Sequence, residues 1–286
     1  MAVIKVGFLI SYDYEFIKTS LPRVYNEVEE IYFAVDANGL TWSGEPIQIA
    51  DGFWEWIEEF DTANKIRIYK DNFYVEGLTP IECDTRERNL LGKHMGEADW
   101  YVQIDSDEYF VDFPLFVKKL NTFKSAGPVT IGCRVVTLFK ALSNGYLFIA
   151  DSTERLDFAT NNPVYEVSRN NISSNEQLSW DDLVLHQSWA RKPEDIYFKL
   201  HNWGHRDDFN LDSFFNLWNA MDKHNHHVVK DFHPLGSGVW PRLKFVEGNV
   251  QQILNSDSVK TIAEPEVILV KRKPLLSRLW KEIKSK

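Results

Sequence analysis

The first 110 residues alternate between short apolar runs and stretches with helical spacing. Residues 4–10, 31–36, 65–69 and 100–104 are rich in β-branched and aromatic side chains and read as buried strands. Between them, residues 15–29, 53–60 and 85–95 carry the character of helices that bury one face. Strands separated by helices predict an α/β fold with a mostly parallel central sheet flanked by helices. The second half is less regular. Residues 129–139 and 146–150 read as strands joined by the turn Ser143-Asn144-Gly145, and Leu183-Val184-Leu185 is a short strand leading into His186. Two helical stretches, 193–200 and 211–229, follow.

In parallel sheets ligands sit beyond the carboxyl ends of the strands. Three of the four early strands end in polar clusters: Ser11 and Asp13, Asp36, and Asp105 with Asp107. A site is therefore expected there. Asp105 and Asp107 are two positions apart, so in extended chain both carboxylates face the same way. Two oxygen ligands at the end of an apolar strand suit a hard cation, Mn2+ or Mg2+. Such an ion would neutralise charge on a departing diphosphate.

The segment 98–110, Ala-Asp-Trp-Tyr-Val-Gln-Ile-Asp-Ser-Asp-Glu-Tyr-Phe, resembles the Asp-x-Asp segment of GT-A glycosyltransferases, family-two-like. Glu87-Arg88-Asn89 is similar to the Ala-Arg-Asn segment on the helix before it. The run from His186 to Lys199 resembles the His-aromatic-Arg/Lys-Ser-x-Glu-Glu-Phe-x-x-Lys segment of related bacterial enzymes. The matches span about residues 3–205. This resemblance implies a GT-A fold and transfer of a sugar from a nucleotide-diphosphate donor to a glycan or lipid-linked glycan acceptor, in building a bacterial capsule, exopolysaccharide or lipopolysaccharide. Ser11, Asp36, Arg88 and Asp105 would bind the nucleotide sugar, and Asp105, Asp107 and His186 the metal. The turn Ala37-Asn38-Gly39 departs from the acidic-Ser/Thr turn usual after Asp36. It leaves the nucleotide undefined. The implied domain plan is a catalytic domain at 1–235, with a nucleotide half at about 1–110 and an acceptor and metal half at about 111–235. Residues 236–286 would form an extension.

An inverting transferase needs a carboxylate to deprotonate the acceptor hydroxyl. Asp181 and Asp182 are the candidates, with Glu154 and Glu166 as alternatives. Seven of the eight histidines fall between positions 186 and 233. His201 and His205 have the i, i+4 spacing of one helical face, while His224, His226 and His227 read as a solvated surface.

The 286 residues carry a formal charge of −10, which argues against a nucleic-acid partner. Seven of the 32 Lys/Arg and one of the 42 acids fall between Lys271 and Lys286, a net of +6 that leaves −16 for the first 270 residues. In that tail Leu275, Leu276, Leu279, Trp280 and Ile283 recur at helical spacing, as in a basic amphipathic helix on an anionic membrane surface. The two cysteines, Cys83 and Cys133, make no disulfide framework, and the apolar start runs straight into Ser11-Tyr12-Asp13 without a cleavage region. These features predict a cytoplasmic protein, peripheral on the inner face of the cell membrane. Two rivals stand beside the transferase reading: a metal-dependent nucleotidyltransferase or phosphohydrolase, and a non-catalytic carbohydrate-binding protein.

Overall fold

Residues 1–256 and Ile262 are described by a computed structural model. The first half supplies β1 (Ile4–Ile10), α1 (Ile17–Val24), β2 (Glu30–Asp36), α2 (Asp51–Phe60), β3 (Ile66–Asp71), α3 (Pro80–His94) and β4 (Trp100–Asp105). These four strands lie in the order β3-β2-β1-β4 and are parallel throughout. They form the expected parallel centre. Side chains alternate across it. Val6, Phe8 and Ile10 of β1 join Ile17 and Leu21 of α1 and Phe53 of α2 on one face, while Leu9 meets Leu91 and Met95 on the other.

The second half continues the same sheet. Its elements are β5 (Glu108–Phe110), α4 (Phe113–Thr122), β6 (Val129–Leu142), β7 (Gly145–Ala150), β8 (Arg155–Thr160), β9 (Glu176–His186), α5 (Pro193–Asn202), α6 (Leu211–Ala220), β10 (Arg242–Glu247) and α7 (Val250–Leu254). The sheet runs on from β4 through β8, β6 and β7 to β10, and β9 pairs with both β5 and β6. These pairs are antiparallel, apart from the parallel β6–β9 ladder. Because β10 hydrogen-bonds to β7, residues 242–247 belong to the same sheet as the rest. The basic stretch 271–286 lies outside the described residues.

Several boundaries differ from the sequence pattern, each for a local reason. The stretch 15–29 is broken into two 3-10 turns around α1, inside which Pro22 lacks the N–H that a helix needs. Helix α3 starts at Pro80, five residues earlier than the pattern, with Thr79 donating its N–H back to Glu82 at 2.8 Å in a capping box. Of the five residues added, Asp84 is buried where an apolar residue is the usual signal. Helix α6 stops at Ala220, since Asp222 draws the N–H groups of His224 and Asn225 into a turn. Strand β9 is far longer than Leu183-Val184-Leu185 because its first residues are largely exposed and carry no apolar run.

Candidate functional site

The chain reverses the direction of sheet growth at β1, with β2 and β3 on one side and β4 on the other. A crevice at such a switch point is where α/β sheets place ligands. The turn after β4 fills one wall of it. Ser106 ties β4 to β1 by donating its hydroxyl to the Leu9 carbonyl at 3.1 Å. Glu108, fully buried, accepts the Asp105 N–H at 2.8 Å and is gripped through both oxygens by Arg169. The turn is rigid before any ligand arrives.

Asp105 and Asp107 both line the cavity, but they face different cations. Arg88 reaches from α3 to place its Nη2 at 2.9 and 3.2 Å from the two Asp105 oxygens, while its Nε donates to Asp84 at 2.7 Å. Asp107 is turned toward the segment after β9. Its Oδ2 accepts from Arg191 Nη2 at 2.5 Å and lies 3.6 Å from Lys199 Nζ, and its Oδ1 is 3.5 Å from His186 Nε2. Arg191 also donates to Asp13 at 2.9 Å. Lys199, on the buried face of α5, donates to Ser188 at 3.0 Å.

Electrostatics follow from these pairings. Burial opposes the Asp107 charge, yet Lys199, His186 and Arg191 together hold its carboxyl well below the usual range. Burial likewise opposes the Asp105 charge, and Arg88 and Arg169 outweigh it, so its pKa is lowered. For His186 desolvation favours the neutral ring, but the Asp107 charge prevails and the pKa rises. Burial, reinforced by Arg191, pushes the Lys199 ammonium down. Glu87 is buried without a cation of its own; desolvation raises it to about 8, although Trp42 Nε1 donates to it at 2.6 Å.

The donor set does not fit the divalent ion expected at Asp105, Asp107 and His186. Each carboxylate already has a guanidinium within hydrogen-bond distance, and Asp107 is almost wholly buried against Arg191. Among the described residues no group of three or more His, Cys, Asp and Glu side chains could hold a metal ion.

The cavity measures about 300 Å3. Ser11, Trp42, Glu87 and Arg88 line it beside the parallel strands, and Glu154, Asp157, Trp203, His205, His233 and Trp240 line it from the second half. Ser11, Arg88, Asp105, Asp107 and His186 thus line one cavity. Asp36 is not. Its carboxylate is consumed by the N–H groups of Asn38, Leu40, Phe73 and Tyr74, at 2.9 to 3.3 Å, and fixes the loop after β2. Asp181 and Asp182 are also elsewhere. They lie five and four residues before His186, at an irregularity in β9 and outside the cavity lining, and pair with Arg155 and Lys119 respectively. Of the four candidate bases only Glu154 reaches the cavity, where it accepts the Thr137 hydroxyl at 3.1 Å. Glu166 does not line it. His201 and His205 do not share a helical face, since α5 ends at Asn202. Both cysteines are buried and free.

Sequence reasoning assigned no role to Arg169, Arg191, Lys199, Glu87 or Asp157. For Asp84, Glu87, Arg88 and Leu91 the signal was present: i, i+3, i+4, i+7 spacing with charges where apolar residues belong. Arg169 sits in an irregular turn and gave no signal.

No family profile matches the chain, and no curated protein matches it in sequence. Solved structures to which it is similar include the mannosyltransferase PcManGT from Pyrobaculum calidifontis in complex with GDP-Man and Mn2+, at 10% identity, TM-score 0.42, covering 77% of this chain and 68% of that one. Another is S. aureus TarS 1-349, at 14% identity and TM-score 0.28, covering 49% of this chain and 36% of that one. A third is HddC from Yersinia pseudotuberculosis complexed with GMP-PN, at 10% identity and TM-score 0.35, covering 65% and 93%. The chain thus spans little more than a third of the TarS structure it matches.

Proposed function

We propose that this chain is a GT-A-type glycosyltransferase that moves a sugar from a nucleoside-diphosphate donor to a hydroxyl on a glycan or lipid-linked glycan, in making a bacterial surface polysaccharide. The observation that carries the reading is the crevice at the β1/β4 switch point, where a fixed Asp-Ser-Asp-Glu turn and buried cations share one cavity. In this reading Arg88 and Asp105 orient the nucleotide, and Lys199 faces the diphosphate. Preoriented cations of this kind favour the charge that gathers on a departing diphosphate. Glu154 and Asp157, which line the same cavity, are the carboxylates available to take the proton from an acceptor hydroxyl. Trp203, half-buried in the same cavity lining, offers a flat apolar face to a sugar ring. The basic tail would bring the enzyme to lipid-linked acceptors at the cytoplasmic face of the membrane.

The test is a thermal-shift screen of nucleotide sugars followed by product analysis. Stabilisation by one donor, with slow release of nucleoside diphosphate and free sugar, supports the transferase. Release of a nucleoside monophosphate and a sugar phosphate would instead identify a phosphohydrolase. Stabilisation by free glycans but by no nucleotide would identify a carbohydrate-binding protein.

A further inference from the structure

We infer that this site binds the diphosphate of its donor without a divalent ion, with Arg191 neutralising Asp107 from behind and Lys199 and Arg88 offering N–H donors to the ligand. The inference rests on the donor reading above and departs from the metal chemistry that the Asp-Ser-Asp pattern implies. It begins with charge balance at Asp107. Asp13 and Asp107 are matched one for one by Arg191, which bonds to both, and Lys199, 3.6 Å from Asp107. A divalent ion at Asp107 would have to sit beside two fixed cations, Arg191 and Lys199, that already partner this carboxylate. A buried ammonium or guanidinium held in place donates to phosphate oxygens without an added ion.

The donors needed for an anion are on the page. Lys199 carries three N–H groups, of which one goes to Ser188, and its side chain lines the cavity. Arg88 is 2% exposed, also lines the cavity, and has its Nη1 buried with no hydrogen-bond partner. A buried guanidinium nitrogen without an acceptor is costly unless a ligand supplies one. Arg191 does not line the cavity; it stacks on Phe16, 4.7 Å from the ring centre, and works through Asp107. It is a positioning residue, whereas Lys199 and Arg88 are the groups that touch the ligand.

The experiment is calorimetric titration of the full chain with UDP and GDP, each in EDTA and in excess MnCl2, together with Mn2+ alone followed by its electron paramagnetic resonance signal. One nucleotide should bind with a Kd that is the same in EDTA and Mn2+, and Mn2+ alone should show no saturable site. Lys199→Met should weaken that binding about tenfold or more, the loss of one charge-assisted contact, with no recovery on adding Mn2+. Lys199→Arg should retain most of it, which separates a lost charge from a damaged fold. Binding that appears only with Mn2+, or saturable Mn2+ binding abolished by Asp107→Asn, overturns the inference and leaves the donor reading standing. Failure of both nucleotides, and of every other nucleoside diphosphate tried in either condition, overturns the donor reading and this inference with it.

Discussion

Replacing Arg191 with Met tests whether the buried charge balance holds the site together. The methionine keeps an apolar stem against Phe16 and Tyr12 but removes the bonds to Asp13 at 2.9 Å and to Asp107 at 2.5 Å. Breaking a buried ion pair by deleting one partner costs about 3–5 kcal/mol, since the other charge stays buried. Lys199 and His186 remain at 3.6 and 3.5 Å from Asp107, so the lower end, about 3 kcal/mol, is expected. Urea unfolding at pH 7 reads this directly as a shift in midpoint at constant slope. The pH dependence has a fixed sign. The folded Asp107 carboxyl lies well below 3.8, its unpaired value, so the stability it contributes is fully present above pH 3.8 and lost as pH falls through its folded value. In Arg191→Met part of that depression disappears, so the gap between the two proteins narrows as the pH drops below about 4. Adding Asp107→Asn to the variant removes one of the two stranded charges, leaving Asp13, and should recover about half of the loss. A gap below about 1 kcal/mol at pH 7, or one unchanged by the second substitution, would refute the claim that this pair anchors the site.

Three further outcomes follow from the geometry. Asp36→Ala should lower stability by about 2–3 kcal/mol, because four backbone N–H groups lose a charged acceptor. Nucleotide affinity, measured on the refolded variant by calorimetry, should stay within a few-fold of wild type. Glu87 has a folded pKa of about 8 against 4.5 unpaired, so folding favours its protonated form and stability falls as pH rises between those values. Melting curves across pH 5–9 should show Glu87→Gln losing less stability than wild type over that window, and parallel curves would count against it. Glu154→Gln should slow donor turnover at least about 100-fold with donor binding intact, as for loss of a general base. Asp181→Asn, on an exposed carboxylate paired with Arg155, should leave turnover unchanged in the same assay of nucleoside diphosphate release.

How much of the site was legible depends on whether a residue's role comes from its neighbours in sequence or in space. Asp105 and Asp107 were legible because an apolar strand followed by Asp-x-Asp fixes both their position and their setting within six residues. His186 was legible for the same reason, at the end of Leu183-Val184-Leu185. Asp36 looked equivalent, an acid ending a buried strand, yet its oxygens turn into the loop that follows. Two of those bonds come from Phe73 and Tyr74, 37 and 38 residues away, which no local pattern announces. Asp181 and Asp182 stood close to His186 in sequence, but they lie outside the cavity lining.

Period and composition alone determined the α/β class, a mostly parallel centre and the strand end that carries the acidic pair, while the order β3-β2-β1-β4 came from the tertiary structure. The first three depend on which side chains alternate and where apolar runs stop, and that is written residue by residue. Only the tertiary structure decided what the acids meet. Arg88, Arg169, Arg191 and Lys199 come from α3, an irregular turn, the segment after β9 and α5, and converge only when the sheet is assembled. Charge pairing acts through a few ångströms of space whatever the separation along the chain, so the chemistry at Asp107 was settled by packing and not by the motif that contains it.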